Sequence, residues 1–239
     1  PADIDHLDLY IVDAHTGQLG QHKKSGSAMP YGDRDYDNPL YLFDLNIEGH
    51  AATTYYLRAE SDKTINIQLL LSTPREYFNL ESERTWWQGM LLGSLLCLCI
   101  LHMALFILFR FRGFLWYSFF IATVIGIQVS WNGYLLQFFD SSEKLLDHQI
   151  LFPIYLSIVF SVLFAQTLLK TRKRVPWQHH SLTAMAIAGF AGAVATWFIP
   201  PCLNSLVASI FAVFSMAFVF AATLHANMEG YRMPRHFLL

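Results

Sequence analysis

The sequence has 239 residues, of which 54% are hydrophobic and only 14% are charged. Because soluble domains carry about 25% charged residues, this composition excludes an ordinary soluble protein. Residues 1–85 contain 14 acidic and 7 basic side chains, whereas residues 86–239 contain 4 acidic and 9 basic ones. The sequence therefore predicts a water-soluble module followed by a membrane domain. The acidic balance of the soluble module argues against a nucleic-acid partner.

The first 78 residues show the alternation of polar and apolar side chains that is typical of β-strands. Residues 7–13 and 40–46 predict strands, with a turn region and a polar stretch between them. Residues 53–60 and 65–72 flank a polar turn and predict a hairpin. The predicted fold class of this module is part of an all-β sandwich.

The second part of the chain contains five uncharged runs of 19 to 27 residues. About 20 apolar helical residues cross a hydrocarbon core of about 30 Å, and the need to satisfy backbone groups in lipid makes each run a helix. The predicted spans are residues 87–109, 113–137, 149–169, 181–199 and 203–225. The predicted domains are therefore a module at 1–78, a short linker at 79–86 and an α-helical membrane bundle at 87–239.

The basic residues of the membrane domain lie almost entirely on one side of the predicted bundle. Eight of the nine follow the first, third or fifth span, and only Lys144 follows the second. The positive-inside rule places the basic side in the cytoplasm. We therefore expect a multi-pass membrane protein with residues 1–85 outside the cytoplasm and the loops at 110–112 and 170–180 inside it.

No sequence pattern indicates catalysis, a cofactor or a metal. The sequence contains no Ser/His/Asp set, no His/Cys cluster with metal spacing and no Gly-rich phosphate loop. Asp33, Asp35 and Asp37 have the alternate spacing of some calcium loops, but Arg34 lies among them and a calcium loop needs more oxygen ligands. A solvated loop is the favoured interpretation, and we expect no enzymatic activity from this segment.

Candidate ligand contacts are aromatic or amide side chains near the outer side. Trp131 and Asn132 lie toward the outer end of the second span, where they are candidates for lining an outward-facing pocket. Tyr31, Tyr36 and Tyr41 are candidate stacking surfaces for a sugar-like ligand. The alternatives are an interfacial anchor for the first pair and ordinary strand or loop aromatics for the tyrosines.

Polar side chains also occur within or at the ends of the spans, although no span contains Asp, Glu, Lys or Arg. These side chains are His102, Gln128, Asn132, Gln166 and His225. Packing or interhelical hydrogen bonding is the favoured interpretation, and the sequence leaves open whether they form a functional network. The absence of intramembrane carboxylates counts against an alternative function as a transporter or channel subunit with an accessory domain. A third alternative, an intramembrane enzyme, lacks a paired nucleophile and base.

The order of these parts resembles a known family through several loosely defined motifs. The motifs are YYLRAES at 55–61, the strand at 65–71, TPREYF at 73–78, WQGMLLG at 87–93, GFLWY at 113–117 and GYRMPRHFLL at 230–239. Together they resemble the bacterial seven-transmembrane receptors with diverse intracellular signalling modules. In this comparison residues 230–239 correspond to the entry to a sixth span, which begins at about 236.

The resemblance implies a jelly-roll sensor domain outside the cytoplasm, suspected of binding carbohydrates, followed by seven helices in the bacterial inner membrane. It also implies a cytoplasmic output domain, such as a diguanylate cyclase or a histidine kinase. The chain would then contain the C-terminal part of the sensor domain and five of seven spans. We expect two further spans and the output domain beyond residue 239, and any signal peptide before residue 1.

The expected function is therefore a transmembrane signalling receptor. The expected partners are the lipid bilayer and an unidentified small molecule or carbohydrate outside the cytoplasm. A homodimer is left open, and no nucleic acid or cofactor is expected.

The predicted topology can be tested with single cysteines and a membrane-impermeant thiol reagent in intact cells. Ser142→Cys should be labelled because residues 140–147 are predicted outside, whereas Arg172→Cys should be protected because residues 170–174 are predicted inside. Labelling at Arg172→Cys but not at Ser142→Cys would overturn the topology.

Overall fold

The computed structural model describes residues 4, 6–13, 19–26, 36, 38, 40–45, 53–61, 67, 69–134, 143–169 and 176–228. The described strands are β1 (His6–Asp13), β2 (Leu19–Ser25) and β3 (Thr53–Glu60). The described helices are α1 (Pro74–Phe109), α2 (Arg112–Trp131), α3 (Glu143–Leu169), α4 (Pro176–Ala195) and α5 (Pro201–Met228). The chain divides into two compact units, one of residues 1–78 with 128–150 and one of residues 79–127 with 151–239.

The three strands form one antiparallel sheet in the order β2–β1–β3. β1 pairs with β3 through eight successive residue pairs, and its pairing with β2 shifts register between Ile11 and Val12. Successive side chains of a strand point to opposite faces. Leu7 and Leu9, on one face of β1, are each only 6% exposed. The sheet thus has a buried apolar face, and the predicted order of a β-module followed by membrane helices is confirmed.

The prediction of the strands and their pairing was wrong in two places. Residues 41–45 have no regular secondary structure, although a strand was predicted at 40–46. In this segment the Tyr41 hydroxyl donates to the Ile4 carbonyl, and the Leu40 N–H donates to Asn38 Oδ1. Side-chain hydrogen bonds of this kind compete with a strand ladder for the backbone.

The second error concerns the partner of β3. β3 pairs with β1, and the described residues of its predicted partner, 67 and 69–72, are not in a strand. Alternation indicates an extended chain, but it does not identify the neighbouring strand. β2 was missed because its residues 21–25 are mostly polar, which is ordinary for a strand at the edge of a sheet.

A capping box begins α1. Glu76 N–H donates to Thr73 Oγ1, while the Thr73 N–H and hydroxyl both donate to Glu76 Oε2. These reciprocal bonds satisfy backbone donors that the first turn leaves free. The Thr73 N–H, followed by the Thr73 hydroxyl, lowers the pKa of the Glu76 carboxyl, which lies outside the apolar part of the helix. α1 then continues through residues 79–86, so the predicted linker is helical.

A tight turn joins α1 to α2. Arg110 has a positive φ of 53°, a left-handed conformation that ends α1. Gly113 lies in the first turn of α2, and a Cβ at this position would overlap the ring of Phe111. The absence of a side chain at Gly113 therefore permits this short connection.

Four described helices are long and apolar enough to cross a membrane by length and composition. The candidate spans are Pro74–Phe109, Arg112–Trp131, Ile150–Leu169 and Cys202–His225. They correspond to the first, second, third and fifth predicted spans. α2 ends at Trp131 rather than at 137, and residues 135–137 lie outside the described residues.

The helix at the fourth predicted span, α4, is not among these four candidates. α4 spans Pro176–Ala195, whereas the span was predicted at 181–199. Residues 196–198 form a turn, in which the Thr196 hydroxyl donates to the Gly192 carbonyl. Pro200 disfavours helical geometry at the residue before it, so the apolar composition of 196–199 did not make this segment helical.

α3 provides the centre of the helical unit. Its Ile158, Val159 and Val162 form a buried cluster with residues of α4, including Leu182 and Met185. Partly buried hydrophobic residues of α5 pack against the same cluster. A second buried cluster contains residues of α3, α4 and α5, so all three helices share one apolar core.

Two glycines of α4 allow this helix to approach α3 closely. A Cβ at Gly189 would lie 2.9 Å from Val159 Cγ2, and one at Gly192 would lie 2.5 Å from Tyr155 Cε1. Both distances are too short for real contacts between carbon atoms. Small residues at helix contacts are the usual means by which helices associate in lipid.

Aromatic side chains connect α2 to α3. Phe160 lies between Trp116 and Phe119, with ring-centroid distances of 6.2 and 5.3 Å. Tyr117 lies 5.3 Å from Phe164 one turn further along α3. In contrast, α1 contains no buried residue, and its Cys99 contacts Ser118 of α2.

Replacement of Gly192 by alanine should destabilise the helical unit. The new Cβ would overlap the Tyr155 ring, and overpacking of this kind costs about 1–3 kcal/mol. The measurement is the thermal unfolding midpoint of the detergent-solubilised chain. Gly93→Ala is the matched control, because a Cβ at Gly93 meets nothing within 4 Å and alanine has the higher helix propensity. Equal midpoints for Gly192→Ala and Gly93→Ala would contradict the observed packing.

Loss of the capping box should loosen the start of α1. Thr73→Ala removes the hydroxyl, and because a lost N-cap costs about 1 kcal/mol, amide exchange in the first turn should accelerate about fivefold. Thr73→Ser keeps the hydroxyl and should exchange like the original chain. In the folded chain the pKa of Glu76 is lowered from 4.5. The contribution of the Glu76 carboxylate to the stability of the first turn is therefore complete above pH 4.5, and it is lost as the pH falls through the lowered pKa. Equal amide exchange rates in the first turn of Thr73→Ala and of the original chain would refute the role of the cap.

Candidate functional site

The face of the sheet opposite Leu7 and Leu9 carries aromatic and charged side chains. We call this surface the polar sheet face. It includes Asp8 and Tyr10 of β1, His22 and Lys24 of β2, and Tyr56, Arg58 and Glu60 of β3. Residues directly opposite in neighbouring strands share a face, and the register pairs Tyr10 with both His22 and Tyr56 and pairs Asp8 with Arg58.

Tyr10, His22 and Asp8 form a compact group on this surface. The rings of Tyr10 and His22 are stacked, with centroids 4.4 Å apart and an interplanar angle of 5°. His22 Nε2 lies 3.1 Å from Asp8 Oδ1, which orients the imidazole. The stacking and the hydrogen bond restrict the side chains, so a ligand would meet a largely ordered surface.

Tyr56 and the Arg58–Glu60 pair complete the surface on β3. Tyr56 is 59% exposed, which leaves its ring accessible. Arg58 Nη2 donates to Glu60 Oε2 at 2.7 Å, and both side chains are exposed. An exposed ion pair adds little stability. The geometry therefore combines an accessible aromatic ring with hydrogen-bond donors and acceptors, which is a suitable composition for binding a polar organic ligand.

The three tyrosines predicted as ligand contacts differ in their surroundings. Tyr31 lies outside the described residues. Tyr36 is exposed, and its carbonyl accepts a hydrogen bond from the Asn38 N–H. Tyr41 is half-buried and donates to the Ile4 carbonyl at 3.2 Å, so its hydroxyl has a structural partner. Their role in ligand binding stays a prediction.

Trp131 and Asn132 lie where α2 ends. Trp131 is exposed. The Asn132 side chain donates to the Gln128 carbonyl at 2.8 Å, and the following Gly133 has a positive φ of 75°. These contacts describe the end of a helix, and whether this end also contacts a ligand stays a prediction.

Polar side chains connect α1 to α2 inside the helical unit. Ser118 is buried and its hydroxyl donates to the Cys99 carbonyl at 3.0 Å, while Cys99 Sγ lies 3.3 Å from Ser118 Oγ. One turn further along α1, His102 Nδ1 lies 2.8 Å from the Leu98 carbonyl, and its ring is 4.4 Å from the Tyr117 ring. His102 therefore packs against α2, whereas its hydrogen bond lies within α1.

Gln166 connects α3 to α4. Its side-chain amide donates to Thr183 Oγ1 at 2.9 Å and to the His179 carbonyl at 3.3 Å. His225 is a basic residue in the last turn of α5, a position where it interacts favourably with the helix dipole when charged. Gln166 thus forms the interhelical hydrogen bonds expected from the sequence.

Tyr155 of α3 and Asn204 of α5 form a further interhelical contact that sequence reasoning missed. The Tyr155 hydroxyl donates to Asn204 Oδ1 at 2.9 Å, and both residues are buried. The polar sheet face was also missed, because the strand β2 that supplies His22 was not predicted. Tyr10 and Tyr56 could have been found from the alternation within their strands, since each is on the face opposite the leucines.

No group of three or more His, Cys, Asp or Glu side chains in the described part of the chain could hold a metal ion. Asp33, Asp35 and Asp37 lie outside the described residues.

Two family models match the chain, one over the β-module and one over the helical part. A family model described as 7TM diverse intracellular signalling matches residues 84–239. A second, described as 7TMR-DISM extracellular 2, matches residues 1–73. Searches of curated proteins and of solved structures found no match. The resemblance inferred from the sequence is thus confirmed, and since the first match alone covers more than half of the residues, the chain belongs to the 7TM diverse intracellular signalling family.

Proposed function

We propose that this chain is the sensing and membrane-spanning part of a receptor that binds a carbohydrate-like ligand outside the cytoplasm. The observation that carries the proposal is the presence of an extracellular family module and a 7TM signalling module in one chain. A receptor of this kind needs a ligand surface on the first module and helices that can adopt two arrangements in the second.

The polar sheet face is the proposed ligand surface. Pyranose rings present C–H groups that pack on an aromatic face and hydroxyls that bond to charged side chains. Tyr56 offers an exposed ring, and Arg58 and Glu60 offer a charged donor and a charged acceptor beside it. Hydrogen bonds with a charged partner are stronger than neutral ones, so these side chains can select a polyhydroxylated ligand.

The proposed location is the bacterial inner membrane, with the sheet in the periplasm and the basic loops in the cytoplasm. In this arrangement α4 is a fifth crossing, because it connects the cytoplasmic loop at 170–180 to the outer turn at Pro200 and Pro201. A jelly-roll fold for the complete sensor domain, two further spans and a cytoplasmic diguanylate cyclase or histidine kinase complete the proposal. These features rest on the family and on the charge pattern.

Ligand binding can be measured by calorimetry on the chain in lipid nanodiscs, against a panel of oligosaccharides. Tyr56→Ala should reduce the affinity of a ligand found in this way at least about tenfold, which corresponds to 1.4 kcal/mol, because the stacking surface is lost. Phe78→Ala, which removes an exposed aromatic ring outside the polar sheet face, is the matched control and should leave the affinity unchanged.

A panel without any binder would remove the support for a carbohydrate ligand. Binding that is weakened by Tyr36→Ala but not by Tyr56→Ala would place the site on the residues first predicted from the sequence. The receptor function itself is tested separately in the full-length protein, in which the bound sugar should change the activity of the cytoplasmic domain.

A further inference from the structure

Asn204 is an unusual residue in the apolar interior of the helical unit. It is 2% exposed, and its side-chain oxygen accepts the hydrogen bond from Tyr155. Its side-chain nitrogen, Nδ2, is also buried and has no hydrogen-bond partner among the described residues. A primary amide carries two N–H donors, so both remain unused in an environment that excludes bulk water.

The surroundings of Asn204 bring three helices together. Tyr155 is 2% exposed, and its ring lies against the backbone of α4 at Gly192. Tyr155 also belongs to a buried cluster with Ala193 of α4 and Ala208 of α5. Phe211 of α5 also packs against this cluster, with its ring centroid 6.3 Å from that of Tyr155, and the Tyr155 hydroxyl lies beside the first turn of α5.

An unpaired donor in this position is costly. A buried polar group without a partner costs about 1–3 kcal/mol, and buried polar groups in native proteins are usually satisfied by protein or by an ordered water. The Tyr155 hydroxyl donates a hydrogen bond to Asn204 Oδ1, and its oxygen keeps lone pairs that can accept another hydrogen bond.

We propose that Asn204 and Tyr155 form a binding site for one internal water molecule at the junction of α3, α4 and α5. The water accepts a hydrogen bond from Asn204 Nδ2 and donates to oxygen atoms of the junction, of which the Tyr155 hydroxyl is the first. The site is independent of the proposed ligand and of the polar sheet face. It gives α3 and α5 a shared polar contact, next to Gly192 of α4, that can exchange partners when the bundle repacks.

Ser215 provides a comparison on the same buried side of α5. Its hydroxyl is buried and has no partner among the described residues. It lies 11 residues beyond Asn204, about 16 Å along the helix. A serine hydroxyl can rotate to bond a carbonyl of its own helix, whereas the Asn204 amide is already held through its oxygen by Tyr155. Ser215 therefore carries no comparable evidence for a water.

The experiment is X-ray radiolytic footprinting of the chain in lipid nanodiscs, read by mass spectrometry. Hydroxyl radicals formed from a bound water oxidise the side chains beside it, even when these are buried. Tyr155 should be oxidised several times faster than Met185, after correction for intrinsic reactivity, because Met185 is buried in an apolar cluster without such a water. Oxidation of Tyr155 as slow as that of Met185 would overturn the proposal in the unmodified chain.

Two variants make the test specific. Asn204→Leu removes the amide and should reduce Tyr155 oxidation to the rate of Met185. Ser215→Ala removes a buried unpaired hydroxyl elsewhere on α5 and should leave the Tyr155 rate unchanged. Rapid oxidation of Tyr155 that persists in Asn204→Leu would also overturn the proposal, since the water would then not depend on the amide.

Discussion

The close approach of α3 and α4 is the constraint on which the helical unit depends. In lipid the hydrophobic effect does not drive helices together, so association relies on packing and interhelical hydrogen bonds. Gly189 and Gly192 supply this packing, because any side chain there would overlap Val159 or Tyr155. α3 then contacts α5 through the same clusters and α2 through Phe160, so the position of one helix determines the neighbours of three others.

Polar contacts between the helices are distributed along the unit rather than collected in one place. Ser118 bonds to α1, Gln166 bonds to α4, and Tyr155 bonds to α5. Each such bond in a membrane contributes only about 0.6 kcal/mol on average. Contacts of this strength hold neighbouring helices in register, yet one of them can be exchanged without unfolding the bundle. This property suits a membrane signalling receptor, which must change its packing to transmit a signal.

The alternation of side chains along its strands gives the sheet one buried apolar face and one polar face. Leu7 and Leu9 are buried on one face, while Tyr10 and its neighbours His22 and Tyr56 lie on the other. A substitution on the polar sheet face therefore leaves the apolar face intact. The stacking of Tyr10 on His22 and the hydrogen bond from His22 to Asp8 orient these side chains before any ligand binds.

The sequence by itself determined the division into a β-module and membrane helices, because charge, alternation and apolar run length are local properties. It also identified the family, and it favoured a packing or interhelical hydrogen-bonding role for Gln166. Only the tertiary structure decided that β3 pairs with β1, that α4 ends at Ala195, and that Tyr155 meets both Gly192 and Asn204. The polar sheet face was also decided by the tertiary structure, since the register of β1 and β2 is what places His22 beside Tyr10. The physical reason is that pairing and helix contacts depend on which distant residues become neighbours, and residue spacing along one chain does not encode that choice.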